Sequence, residues 1–156
     1  MGAWLAVAAR VVLGVVFLRM GLAKVEDPVA FLKLVREYEL VPDALPWLLN
    51  SVAIVVPWLE VWLGALLILG VAVRGVSLTL LAMLIVFTGA IAVRGLALAE
   101  AGSQPFCDVA FDCGCGSGVV AVCAKLPENV GLMVLAGIGV ATREGRACLR
   151  FAWRRV

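Results

Sequence analysis

Histidine is absent from the 156 residues of the chain, and its absence excludes several kinds of chemistry. General acid–base catalysis through imidazole, haem ligation by histidine and zinc sites that mix cysteine with histidine all need this side chain. Charged residues are also scarce, at 15% of the chain against about 25% in soluble domains. Because the net charge is only +2, we expect no nucleic-acid partner.

Apolar side chains are abundant. They make up 64% of the residues, and the mean hydropathy is +1.10. A soluble domain of this size keeps a large surface relative to its volume, so it could not hide that much apolar area from water. We therefore expect one all-α membrane domain over residues 1–156, with the lipid bilayer as its solvent.

Four apolar stretches are long enough to cross a hydrocarbon core of about 30 Å, which takes about 20 helical residues. We predict a four-transmembrane-helix bundle with helices at 3–23, 45–69, 75–93 and 127–142. After the first helix, apolar residues recur at helical spacing and predict a short amphipathic helix at the interface: Phe31, Leu34, Val35 and Tyr38. The first stretch is expected to be a retained helix rather than a signal peptide, because no basic residue precedes it.

The distribution of lysine and arginine predicts the orientation. The flanks on the side of the two termini hold slightly more of these residues, including the basic tail 146–156. The positive-inside rule then predicts a multi-pass protein of the plasma (inner) membrane with both termini in the cytoplasm. The cysteine-rich loop, 94–126, is predicted to be extracytoplasmic, where disulfides persist.

Two of the charged residues in the predicted membrane helices lie far from the helix ends and mark a candidate site, because an ionised group in hydrocarbon is costly unless it is paired or hydrated. Arg10 shares a helix face with Gly14 and Gly21, and Glu60 shares one with Gly64. At 1.5 Å per residue, both charges lie about 21–22 Å from the outer surface. We predict an Arg10–Glu60 ion pair, which either latches the two helices together or lines a polar cavity for a quinone headgroup or a proton.

Four of the five cysteines lie between positions 107 and 123, and three chemistries compete for them. In thiol–disulfide exchange, Cys113 and Cys115 are the catalytic pair, with a flexible glycine between them. Cys107 and Cys123 then form a second disulfide pair, either redox-active or structural. We predict no role in this chemistry for Cys148, which lies on the cytoplasmic side.

The other two chemistries stay open. Four thiolates can hold zinc or a soft metal ion, although the spacing lacks the two close cysteine pairs of ordinary zinc sites, so no metal site is assigned. Alternatively, the cysteines form two plain disulfides, and the chain is a non-catalytic membrane anchor or assembly subunit of a larger complex.

Several short motifs occur together, in order, along nearly the whole chain. They are Arg10-x3-Gly14 and Gly21-Leu22-Ala23-Lys24, then Asp27-Pro28 with Phe31, Val35, Tyr38, Leu40 and Pro42, then Pro57-Trp58-Leu59-Glu60 with Gly64 and Gly70, and last Asp112-Cys113-Gly114-Cys115-Gly116. With these motifs the chain resembles the MauE branch of the DoxX-like integral membrane proteins.

The resemblance implies a four-helix bundle and a role in the redox maturation of extracytoplasmic proteins. Proteins of the MauE type are associated with a thioredoxin-like partner and with disulfide formation in methylamine dehydrogenase. Related DoxX-like proteins are linked to quinone-coupled sulfur or thiol chemistry. The expectation is therefore a membrane redox protein that exchanges disulfides with an extracytoplasmic thioredoxin-like partner, with quinone as its candidate cofactor.

Overall fold

The computed structural model describes residues 3–39, 45–114 and 118–141. Its elements in chain order are five α-helices, a short 3₁₀ turn and two strands: α1 (Ala3–Glu26), α2 (Pro28–Glu37), α3 (Pro46–Leu69), α4 (Val73–Gly102), the turn Phe106–Asp108, β1 (Ala110–Asp112), β2 (Val119–Ala121) and α5 (Val122–Ala141). Within the described residues, α1, α3, α4 and α5 are long and apolar enough to cross a membrane. The predicted all-α membrane fold, with a short helix after the first span, is confirmed.

The helix ends differ from the prediction because several polar residues find partners inside helices. Helix α4 continues past Arg94, whose Nη1 lies 3.1 Å from Oε2 of Glu39. Helix α5 begins at Val122 rather than at 127, and Lys125 in its first turns is buried with its Nζ 2.8 Å from Oε1 of Glu128. The connection between α4 and α5 therefore shortens from the predicted 94–126 to residues 103–121.

Helices α1 and α3 pack most closely, with backbone against backbone. A Cβ added to Gly64 would lie 2.7 Å from the backbone nitrogen of Leu18 and 2.8 Å from the carbonyl oxygen of Gly14. A Cβ on Gly21 would lie 2.8 Å from the carbonyl oxygen of Pro57. Small residues at these positions let the two helices approach, as is common in membranes, and they fix the antiparallel register.

The remaining core forms in two places. One cluster fills the centre of the bundle, between α1, α3, α4 and α5: Leu13, Phe17, Leu67, Val73, Val76, Leu80, Leu84, Leu132 and Ala136. A smaller cluster lies beneath the connection between α4 and α5, where Ile91, Val109 and Val122 are buried. The second cluster supports the cysteine-bearing segment described next.

Candidate functional site: a cavity between the cysteine hairpin and a buried ion pair

A lysine and a glutamate meet inside the bundle. Nζ of Lys24 donates to both carboxylate oxygens of Glu60, at 2.6 and 2.5 Å. The side chains are 7% and 0% exposed, so both charges are shielded from the surroundings. In this geometry both oxygens of the buried carboxylate accept a hydrogen bond from the same cation, so the negative charge is paired inside the bundle.

The prediction that Arg10 pairs with Glu60 is wrong, because the cation that pairs with Glu60 is Lys24. Arg10 is buried and lies on the predicted face of α1, but the glycine contacts between α1 and α3 set a different depth. Gly14 faces Gly64 and Ile68, so Arg10, one turn earlier, lies near the end of α3 far from Glu60. Lys24, in the last turn of α1, is the residue at the depth of Glu60, where the sequence-based estimate had put Arg10.

The same register staggers the two helices along the bundle. Only Val25 and Glu26 follow Lys24 in α1, whereas residues 46–59 of α3 precede Glu60. Because Gly21 lies against Pro57 and Val61, the end of α1 at Glu26 is level with about residue 54 of α3, so α3 extends about two turns, or ~12 Å, beyond the end of α1. The amphipathic helix α2 turns back after Asp27, whose side chain accepts a hydrogen bond from the backbone of Ala30 at 2.9 Å, and packs against α3.

A cavity of about 260 Å³ lies in the region that this stagger leaves beside α3. Its walls are mostly apolar, and they come from α1, α2, α3, α4 and α5 and from the segment after β1: Met20, Lys24, Phe31, Leu34, Val35, Tyr38, Val52, Val56, Val86, Phe87, Ala90, Ile91, Cys113, Gly114 and Asn129. The four α2 residues predicted to share one apolar face all line it. Val86 is 66% exposed, so the cavity reaches the lipid-facing surface of α4.

Lys24 is the cationic part of the lining. Its Nζ lies 5.3 Å from the ring centre of Phe31 and 5.6 Å from that of Phe87, within the range of a cation–π contact. Both rings line the cavity. The ammonium group is therefore framed by Glu60 and by two aromatic walls.

The cysteine motif lies at the tip of a small hairpin. Strands β1 and β2 pair antiparallel, with Phe111 opposite Val120, and residues 113–118 connect them. Tyr38, the residue that follows α2, donates from its hydroxyl to the carbonyl oxygen of Cys113 at 3.3 Å, and its ring packs edge-on against Phe111. Cys113 thus contacts the interfacial helix and lines the cavity, whereas Cys115 lies outside the described residues, as does Cys148.

Gly114 explains why the motif has glycine after its first cysteine. Its φ is +71°, a left-handed conformation that favours glycine, and a Cβ there would lie 2.9 Å from Cδ2 of Leu34. Its backbone N–H donates to Oδ1 of Asp112 at 2.9 Å. The tip can therefore approach α2 closely only because this residue has no side chain.

Cys107 and Cys123 form a disulfide at the base of the hairpin, joining the 3₁₀ turn to the first turn of α5. Two of the four cysteine sulfurs are thus bonded to each other, which is incompatible with a site of four thiolates. Within residues 3–39, 45–114 and 118–141, no group of three or more histidine, cysteine or acidic residues is placed to hold a metal ion.

The structure brings together residues that the sequence predicted separately. Cys113 lines the same cavity as Lys24, the ion-pair partner of Glu60, while Arg10 lies elsewhere. Lys24 and Asn129 were missed as site residues. Lys24 had a signal, because it shares a helix face with Arg10, Gly14 and Gly21. Asn129 had none beyond its position in an apolar stretch, and its amide donates to the hydroxyl of Thr88 at 3.1 Å.

Comparison with known proteins adds one finding. The family model for "Methylamine utilisation protein MauE" matches residues 2–142. The chain belongs to the MauE family. It is a membrane protein of that family, and its buried ion pair and cysteine hairpin both fall within the matched region. No curated protein and no solved structure gives a significant match to the chain.

Proposed function

We propose that this MauE-family protein is a membrane thiol–disulfide oxidoreductase with Cys113 and Cys115 as its exchanging pair. The observation that carries the proposal is that Cys113 lines the intramembrane cavity that also contains the Lys24 ammonium group. Cys113 is half-buried in a surface hairpin, so a protein partner can approach the exchanging pair from outside, while the cavity gives the same cysteine access to a small reactant. This is the arrangement that an exchange reaction between a soluble and a membrane-dissolved reactant needs.

The partner is an extracytoplasmic thioredoxin-like protein that arrives with a reduced cysteine pair. One partner thiolate attacks a sulfur of the Cys113–Cys115 disulfide, forming a mixed disulfide and releasing the other sulfur as a thiolate. The second partner thiolate then breaks the mixed disulfide. The partner leaves oxidised, and Cys113 and Cys115 hold the two electrons and, after protonation, two hydrogens.

A quinone then reoxidises the pair. Two S–H bonds break and one S–S bond forms, while the two carbonyl oxygens of the quinone gain two protons and two electrons to give a quinol. The family description points to methylamine utilisation as the system to which the client of the partner belongs. A larger membrane complex is a further partner that the family context favours.

The Cys107–Cys123 disulfide has a structural role in this proposal. It joins two cysteines 16 positions apart around the hairpin, and in the chain-entropy account closing such a loop destabilises the unfolded chain by about 3 kcal/mol. Because it anchors both ends of the hairpin, it holds the tip against α2 through each exchange cycle.

The orientation is part of the proposal. An even number of spans places the α1–α3 connection and the cysteine hairpin on one side, and Arg74 with the basic tail on the other. Applied to a plasma (inner) membrane protein, the positive-inside rule puts the termini in the cytoplasm and the hairpin outside.

The test combines alkylation with partner trapping in intact spheroplasts. After mild reduction, a membrane-impermeant maleimide should label Cys113 and Cys115 from outside but leave Cys148 unlabelled. Cys115→Ser or Cys113→Ser, with its remaining thiol first converted to a disulfide with thionitrobenzoate, should form a stable mixed disulfide with a thioredoxin-like protein that keeps only its attacking cysteine, and should release one thionitrobenzoate for each bond formed. The double variant should abolish turnover of the partner.

The matched control is Cys107→Ser/Cys123→Ser, which should lower stability but leave exchange detectable. If the Cys113→Ser/Cys115→Ser protein oxidises its partner as the parent does, the exchange proposal is wrong. The cysteines would then be structural, and the chain would be an anchor or assembly subunit.

A further inference from the structure

The size and the lining residues of the cavity indicate which class of ligand it can bind. The cavity is smaller than the roughly 300–1,000 Å³ of sites for drug-sized ligands, so a single ring system suits it. Its aromatic and aliphatic walls favour a flat, apolar ring, and its opening beside Val86 favours a ligand dissolved in lipid.

The polar groups of the cavity lining restrict which ligands can bind there. A lysine ammonium group has three N–H donors. Two of them go to Glu60, so the third remains to donate to a ligand in the cavity that Lys24 lines. The ligand therefore needs an oxygen acceptor at one edge of its ring.

Glu60 decides between a charged and a neutral acceptor. A carboxylate ligand, such as a fatty acid, would place a second anion beside the Glu60 carboxylate, which is fully buried and shares the same cation. Like charges in a low-dielectric interior repel strongly. A neutral carbonyl accepts the same hydrogen bond without that repulsion.

We propose that the cavity is a binding site for a quinone headgroup, with one carbonyl oxygen bonded to Lys24 and the ring between Phe31 and Phe87. Glu60 is a positioning residue that holds the ammonium group in place. Cys113 lies on the wall of the same cavity, so the ring is brought beside this cysteine. This inference rests on the proposed exchange function and assigns the residues that bind the quinone of that reaction.

The test measures binding rather than turnover, using two ligands of the same shape. Duroquinone is a tetramethyl-substituted benzoquinone, and durene is the tetramethylbenzene that lacks both carbonyl oxygens. Binding to the purified protein in detergent micelles is followed by calorimetry. The parent protein should bind duroquinone at least about tenfold more tightly than durene, the value of one hydrogen bond from a charged donor.

Two kinds of variant locate the site. Lys24→Met/Glu60→Leu removes both charges together, so neither is left alone in the interior, and it should weaken duroquinone binding about tenfold while leaving durene binding unchanged. Ala90→Phe adds bulk to the wall and should abolish binding of both ligands. The control is Ala82→Phe, on the same helix at an exposed position away from the cavity, and it should bind as the parent does.

The outcomes separate this inference from the exchange proposal. If duroquinone and durene bind equally, or if Ala90→Phe binds duroquinone as the parent does, the quinone site is overturned; displacement of a co-purified phospholipid by both ligands alike would identify the cavity as a site for an acyl chain. If duroquinone binds as expected but Cys113 and Cys115 never exchange with a partner, the site stands and the exchange function fails.

Discussion

Two of the helix–helix interfaces, which we call the α1–α3 seam and the α4–α5 seam, pack in different ways. In the α1–α3 seam, glycines bring one backbone against the other, and a buried ion pair closes one end. In the α4–α5 seam, side chains mediate the contact: Gly139 packs beneath Ser77, and Asn129 bonds to Thr88. A backbone contact cannot adjust, whereas a hydrogen bond between two side chains can, so the α1–α3 contact fixes the helix geometry more strictly than the Asn129–Thr88 contact does.

This difference has a functional side. Lys24 and Glu60 lie at the end of the rigid seam nearest the cavity, so the cationic group is held in position by the least adjustable part of the bundle. Asn129, from the α4–α5 seam, also lines the cavity. Substitutions in the two seams should therefore differ in size, and the following changes test that order.

Glu60→Leu should have the largest effect. It leaves the Lys24 ammonium group buried without its carboxylate, and breaking a buried pair from one side costs about 3–5 kcal/mol. Unfolding in micelles, titrated with sodium dodecyl sulfate, measures the loss. Lys24→Met/Glu60→Leu should recover most of it, and Glu100→Leu, at an exposed site, should change stability by about 0.5 kcal/mol or less. A double variant as unstable as the single one would contradict the account.

Gly64→Ala should have an intermediate effect. The new methyl group meets the backbone of Leu18 and Gly14, neither of which can rotate away, so the helices must separate at a cost of about 1–3 kcal/mol. The same titration measures it. Gly131→Ala is the matched control, because nothing lies within 4 Å of its added Cβ, and it should be neutral or stabilise by up to ~1 kcal/mol. Equal effects at both positions would contradict the account that the backbone contact at Gly64 sets the cost.

Thr88→Val should have the smallest effect. It keeps the shape of the side chain but removes the acceptor for the Asn129 amide, and hydrogen bonds between membrane helices are worth about 0.6 kcal/mol on average. Thr79→Val on the same helix loses only a bond to its own backbone, from Oγ1 to the carbonyl of Gly75, and serves as the control. A loss above that of Gly64→Ala would reverse the proposed order.

The fold could be predicted from the sequence because lipid imposes simple requirements on helix length and hydropathy. Those requirements do not determine where a helix ends if charged residues can continue it by forming ion pairs. Arg94 pairs with Glu39 in this way, and Lys125 pairs with Glu128. The start of α5 was missed for that reason. The hairpin was missed because its strands have three residues each, too few to show an alternating pattern.

The ion pair shows how far the prediction of the site could go. Helical periodicity assigned Arg10, Gly14, Gly21 and Lys24 to one face correctly. The depth estimate then assumed that the outer end of α1 and the outer start of α3 lie at the same level of the membrane. The stagger between them is set by glycine contacts at atomic distances, which hydropathy does not record, so the estimate chose the wrong cation for Glu60.

The pairing of Lys24 with Glu60 also bears on how the protein responds to the membrane potential. One elementary charge crossing the membrane gains or loses about 2.3 kcal/mol per 100 mV. Because the ammonium and carboxylate groups are held together and neutral as a unit, a movement that carries both across the field performs almost no electrical work. The end of α1 and the middle of α3 can thus shift together at any membrane voltage, whereas separating the two charges along the field would make the movement voltage-dependent.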